Sequence, residues 1–188
     1  MGQYYKFIIL SDTKKNNKEV ILLILNPRDY AEGSKLMEHS YLNTKMMNTV
    51  EYLISKHGKF YKSRIVWAGD YADEEPEETE DEGPMNLYRL SDDYSSYTGT
   101  VSHSFGRYIV NHTKKLYVDK ERKSNDNNII HPLPLLISEG NGSGGGDYRG
   151  NNEHLCGSWA RDVISMEEEI PEEYVNQGLE LVCDFKEY

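Results

Sequence analysis

Apolar and polar positions alternate in short runs along most of this chain, and that pattern predicts strands. Residues 4–10 read as one strand and residues 20–25 as a second. The polar stretch 11–18 between them carries Asp12, Asn16 and Asn17, so the pair predicts a hairpin. Asn26-Pro27 ends it. A helical period then takes over. Met46, Met47, Val50, Leu53 and Ile54 recur at three- and four-residue spacing, Asn43 stands where a cap is needed, and Gly58 follows as a stop. This predicts the main helix over residues 44–57. Residues 63–67 predict another strand. Residues 107–110 and 115–118 flank a polar tetrad and predict a second hairpin. A short strand is expected at 133–137, with Pro132 and Pro134 restricting it to an edge or to its beginning. Another strand is expected at 158–166, and the alternation through residues 179–185 predicts a closing one. Short helices are expected at 84–90 and 171–177, the latter with Pro171 in its first turn. The expected class is α+β: an antiparallel or mixed sheet of hairpins with one main helix.

Two insertions break the pattern. Residues 73–83 form an acidic loop, with eight acids among residues 73–82. Residues 140–150 form a glycine-rich loop holding six glycines. The 188 residues otherwise fit a single domain able to bury its own core. A faint internal echo pairs Trp67-Ala68 with Trp159-Ala160, and Gly2-Gln3-Tyr4 with Gly106-Arg107-Tyr108. It raises the expectation of two pseudo-symmetric halves, residues 1–75 and 106–170, with both tryptophans as core anchors.

Charge changes the functional picture. The formal net charge is −11. Residues 73–105 contribute −9 and residues 167–188 contribute −7, so the remainder is positive. Such a chain repels free nucleic acid over most of its surface and is drawn to basic clefts. Carboxylates at intervals can occupy arginine and lysine sites that otherwise hold phosphates. The candidate partner-binding residues are therefore Glu74, Glu75, Glu77, Glu78, Glu80, Asp81, Glu82, Asp92 and Asp93. Tyr88, Tyr94 and Tyr97 add contact area at modest entropic cost. The opposing reading is a solvated loop that only raises solubility.

Other chemistry is weaker. Gly140, Gly142 and Gly145 satisfy G-x-G-x-x-G, but residues 147–152 do not open an apolar-periodic helix, and no Gly-Lys-Ser/Thr follows. The alternative ligand loop, a hydrolase or nucleotide site, would use Gly142, Gly144, Gly145, Gly146, Asp147 and Arg149, with His154 nearby. His131, His154, Cys156 and Cys183 lack metal-ligand spacing, so no metal and no cofactor is expected. Cys156 with His131 or His154 has no flanking signature of a nucleophile, and Asp119, Glu121 and Lys123 sit in a turn-like stretch unsuited to a metal-dependent nuclease. No catalytic residue is expected. No apolar run approaches the length of a membrane span, and the N-terminus lacks the pattern of a secretion signal, so a cytoplasmic protein is expected. Two cysteines in such a compartment would stay reduced.

Several segments together carry a resemblance. They are residues 2–5, 33–40 and 66–73 in the first half, then residues 110–115, 140–150 and 157–160. The chain resembles a family of small proteins of bacterial genomes and mobile elements that includes an anti-CRISPR inhibitor of Cas9. The resemblance implies a phage or mobile-element protein acting in a bacterial host cell. It would bind the guide-loaded nuclease and block DNA loading or cleavage. It assigns no contact residues.

Overall fold

The first hairpin forms as its pattern predicts. Strands β1 (Tyr5–Leu10) and β2 (Ile21–Leu25) pair antiparallel, with Phe7 opposite Leu25. The structure, a computed structural model, describes residues 2–76, 85–121, 130–141, 144–176 and 185. After β2 a 3-10 turn at Pro27–Tyr30 leads to the short helix α1 (Leu36–His39) and then to the main helix α2 (Lys45–Ile54). Strand β3 (Ser63–Gly69) follows, then helix α3 (Leu87–Leu90) and the hairpin of β4 (Tyr108–Asn111) and β5 (Leu116–Asp119). Helix α4 (Pro132–Leu136), the two-residue strand β6 (Ser138–Glu139), strand β7 (Val163–Glu167) and helix α5 (Glu172–Asn176) complete the described elements.

These strands make one sheet in the order β2-β1-β3-β7-β4-β5. Neighbours on that path are antiparallel, while β6 joins the far half of β3 in parallel, Trp67 opposite Ser138. The class is α+β, mostly sheet. Both faces of the sheet are covered, which is why all six residues of β1 are buried. On one face Tyr5, Phe7, Ile9, Ile65 and Trp67 meet Met46, Met47, Val50 and Ile54 of α2 in the main core. On the other, Ile8, Leu10, Val66 and Ala68 pack under Leu87 of α3, and Val110 and Tyr117 pack under Tyr174 of α5.

Four expectations need correction. Thr44, not Asn43, caps α2: its hydroxyl accepts the Met47 N–H at 3.2 Å, while Asn43 takes a left-handed turn (φ 64°) one position earlier. The helix stops at Ile54 because Ser55 returns to extended backbone. Residues 132–136 are helix, not strand. Pro132 sits at the first helical position, where a missing N–H costs nothing, and His131 Nδ1 accepts the Leu133 N–H at 3.1 Å. Residues 158–161 are turn, so the strand begins only at Val163, after Arg161 in left-handed backbone (φ 64°). The expected strand at 179–185 lies outside the described residues, apart from Phe185, which is buried in the main core.

The pseudo-repeat is not confirmed. Trp67 lies inside β3, whereas Trp159 lies in the turn ahead of β7, so the echoed segments do not occupy equivalent places. Both tryptophans are nonetheless buried anchors of the main core. The Trp159 backbone N–H donates to Leu136 O at 2.8 Å.

Candidate partner-binding face

The ends of β1 and β3 that point away from the first hairpin turn build a surface of tyrosines and carboxylates. Antiparallel pairing places Tyr4 beside Asp70, and the pair is closed twice: Tyr4 N–H donates to Asp70 Oδ1, and Asp70 N–H donates to Tyr4 O, both at 3.0 Å. Tyr71 follows at 50% exposure and Tyr4 stands at 40%. Asn86 clamps α3 to this corner. Its Oδ1 caps the helix by accepting the Arg89 N–H, and its amide donates to the carbonyls of Asp70 and Ala72. The helix thereby brings Tyr88 and the following Asp92 onto the same surface.

Lys6 sits beneath. Its side chain is buried, its ammonium lies 4.3 Å from the centre of the Tyr88 ring, and it donates to Asp92 Oδ1 at 2.5 Å and to Ser91 Oγ at 3.1 Å. The Tyr88 hydroxyl is shifted upward, first by burial and then by the charges of Asp70 and Asp92. Tyr94 is 45% exposed, and the neighbouring Asp93 and, after β3, Asp73 and Glu74 are exposed too. Tyr71, Asp70 and Glu74 also line one shallow cleft together with Arg89.

Two residues expected at this surface turn inward. Glu75 is buried and forms a two-point pair with Arg161, whose guanidinium also donates to Glu139 at 2.6 and 2.8 Å and to Glu19 at 3.5 Å. Its charge is consumed inside the protein and anchors the start of the acidic segment to the sheet. Tyr97 packs against the main core, and its N–H donates to Ile24 O of β2 at 2.8 Å. Glu77, Glu78, Glu80, Asp81 and Glu82 lie outside the described residues. Sequence reasoning did not single out Tyr4, Asp70 or Tyr71, which flank the end of β3; the one signal available was the clustering of Tyr and Asp around a strand terminus.

The glycine-rich loop serves the fold. Gly144, Gly145 and Gly146 all take positive φ (79°, 81° and 56°), and a Cβ on Gly146 would meet the Tyr5 ring at 2.8 Å. The Gly145 N–H donates to Ser138 Oγ at 2.9 Å, Arg149 donates back to the loop carbonyls of Gly146 and Tyr148, and Asp147 Oδ1 accepts the Met37 N–H of α1 at 3.0 Å. A phosphate cradle needs those amides pointing outward; here one is spent on Ser138 and the acid is a tertiary helix cap. Gly142 lies outside the described residues. Asp147→Ala is expected to lower stability by about 1 kcal/mol, the ordinary worth of a cap. Urea unfolding measures it, and an unchanged midpoint would contradict the capping role.

The other candidates resolve similarly. Burial pushes the Cys156 thiol up to about 12, which suppresses the thiolate a nucleophile needs. His131 is buried against Glu51, whereas His154 is exposed. A cleft of about 510 Å³ runs past Arg161, Cys156 and His154, but the charges at its base, Arg161, Glu75 and Glu139, are paired with one another. Asp119 accepts from Arg107 at 2.7 Å, and Lys123 and Cys183 lie outside the described residues. Among the described residues no group of three or more His, Cys, Asp or Glu is placed to hold a metal ion, and no helix is long and apolar enough to cross a membrane. Comparison with protein-family models, with curated proteins and with solved structures found no match to this chain.

Proposed function

We propose that this chain is a non-enzymatic binding protein that docks its tyrosine- and carboxylate-bearing face into a basic, nucleic-acid-binding cleft. The family resemblance points to guide-loaded Cas9 as the partner. The consequence is loss of DNA binding or cleavage in a bacterial host cell, the role of an anti-CRISPR protein carried by a phage or mobile element. One observation carries the reading: Tyr4, Tyr71 and Tyr94 are exposed, Asp70 is hydrogen-bonded to Tyr4 and shares a cleft with Tyr71 and Glu74, and Asp73, Asp92 and Asp93 are exposed in the segments that follow β3 and α3. Tyrosine gives rigid, amphipathic contact area, and carboxylates around it match arginine and lysine on the partner.

The test uses residues whose loss leaves the fold alone. Asp92 is unsuitable, because its removal would strand buried Lys6, and Glu75 is unsuitable because of Arg161. In the variant Asp73→Asn, Glu74→Gln, Asp93→Asn, affinity for guide-loaded Cas9 should fall about tenfold, mainly through slower association, and its salt dependence should flatten. Tyr71→Ala with Tyr94→Ala should cost at least about tenfold, mainly through faster dissociation. Biolayer interferometry at two salt concentrations separates the two effects. Wild-type affinity in both variants would overturn the reading.

A further inference from the structure

The ends of β1, β2 and β3 at the first hairpin turn carry a group of lysines. Two connections adjoin there: the turn between β1 and β2, and the loop from α2 into β3, which leave neighbouring strand ends because Leu10 pairs with Arg64. Residues 13–18 hold Lys14, Lys15 and Lys18 with no acid, and residues 55–62 hold Lys56, Lys59 and Lys62 with no acid. The first turn closes on itself. Asn16 and Asn17 both take left-handed backbone (φ 52° and 63°), and Lys15 and Lys18 exchange backbone hydrogen bonds at 3.0 and 2.9 Å.

The carboxylates that bond directly to these two connections are already paired. Glu19 accepts from Arg64 at 2.8 and 2.9 Å and from Lys14 at 3.1 Å, and it is held at about 2: burial opposes that shift, and Arg64 and Lys14 outweigh it. Glu167 is buried and accepts from Tyr61, Ser165 and Lys56. Only Asp12 stays exposed in the turn. Lys15, Lys59 and Lys62 are exposed and make no ion pair with a described carboxylate. Rings stand under two of them: Lys59 Nζ lies 5.6 Å from the centre of Phe60, and Lys62 Nζ lies 5.3 Å from that of Tyr61.

We infer that this end of the sheet binds the backbone of a single-stranded nucleic acid, with Lys15, Lys59 and Lys62 on successive phosphates and the half-buried rings of Phe60 and Tyr61 alongside the bases. Lysine is a compact point charge suited to phosphate without sequence preference. Cations interleaved with aromatic faces are the arrangement that follows a single strand. The net charge of −11 keeps the contact weak and confined to this end. The inference is independent of the partner proposed for the acidic face.

Titration of the ¹⁵N-labelled protein with a short single-stranded RNA at low salt tests it. Amide shifts should be confined to residues 13–18 and 55–62. The logarithm of affinity should fall with the logarithm of salt at a slope near −2, about 0.7 for each of three phosphates. Lys15→Gln, Lys59→Gln, Lys62→Gln together should abolish the shifts while leaving the rest of the spectrum in place, since all three side chains are exposed. Absence of shifts, shifts centred on Tyr71 and Asp93, or an undiminished response in the triple variant would overturn the inference. So would a response to anionic lipid vesicles but not to RNA.

Discussion

Glu51→Ala should destabilise this protein by about 3–5 kcal/mol, the cost of removing one partner from a buried ion pair. Glu51 and Lys120 are each 1% exposed, and His131 is fully buried beside them. Every acceptor site of the carboxylate is used. Oε1 accepts from Lys120 Nζ at 2.5 Å and from His131 Nε2 at 2.9 Å, while Oε2 accepts from Ser104 Oγ and from the Phe105 N–H, both at 2.8 Å. Lys120 spends its remaining protons on Ser104 Oγ and Phe105 O. Burial alone would raise the Glu51 carboxyl, but the hydrogen bond from His131 and the Lys120 charge hold it down at about 2. His131 is pushed the other way by burial and stays neutral, donating through Nε2 and accepting the Leu133 N–H at Nδ1. Alanine would leave an ammonium in the core with two neutral acceptors and no counter-charge. The double replacement Glu51→Leu, Lys120→Met should recover much of the loss, because it removes both desolvated charges together. Urea unfolding of the singles and the double decides the matter. A loss below about 1 kcal/mol in Glu51→Ala would show that the charge is not sealed off from water.

That network explains what the sequence leaves illegible. Glu51 falls on a helix whose apolar period is clear, so its position predicts a polar flank. Its partners lie 53 to 80 residues away, in segments with no periodicity of their own. The hairpins, β3 and α2 are legible because each is local: alternation or a 3.6-residue period fixes which face is buried. Residues 132–136 are not, because a five-residue apolar run fits either element, and only the cap from His131 decides for helix. The choice between Asn43 and Thr44 failed for a similar reason, two competent cap residues standing side by side. The acidic face shows the same division. That Asp73, Glu74 and Asp93 are exposed follows from composition, but Glu75 points inward only because Arg161, 86 residues later, waits for it. Tyr4 and Tyr71 become neighbours of Tyr88 only once β1 and β3 pair and Asn86 pins α3 to their ends.

Stability should fall steadily as pH drops from 6.5 to 4, and His39 should be a principal cause. Trp67 Nε1–H donates to His39 Nε2 at 2.8 Å, and His39 Nδ1 donates to Gly33 O at 2.8 Å, so the neutral ring is satisfied on both sides without contact with water. Protonation would set an N–H against the Trp67 N–H inside the core. Burial accordingly pushes the imidazole down to about 4, although the Gly33 carbonyl and the charges of Asp147 and Glu38 oppose the shift. The unfolded chain takes up this proton near 6.5 and the folded chain only near 4. Above 6.5 both states are neutral and the full stability is present. Below it the unfolded state binds the extra proton, so about 2 kcal/mol is lost by pH 5 and about 3 kcal/mol by pH 4. His112 and His131 are displaced in the same direction, chiefly by burial, and steepen the decline. Glu19 and Glu51, both held near 2, add their own loss only below about 4.5, as their carboxylates protonate in the unfolded chain first. His39→Gln isolates the term, because an amide can accept from Trp67 and donate to Gly33 without titrating. Between pH 7 and pH 5 the wild type should lose about 2 kcal/mol more than His39→Gln in urea unfolding. Parallel losses in the two proteins would place the proton elsewhere, and an NMR titration showing His39 charged at pH 6 would remove the argument at its root.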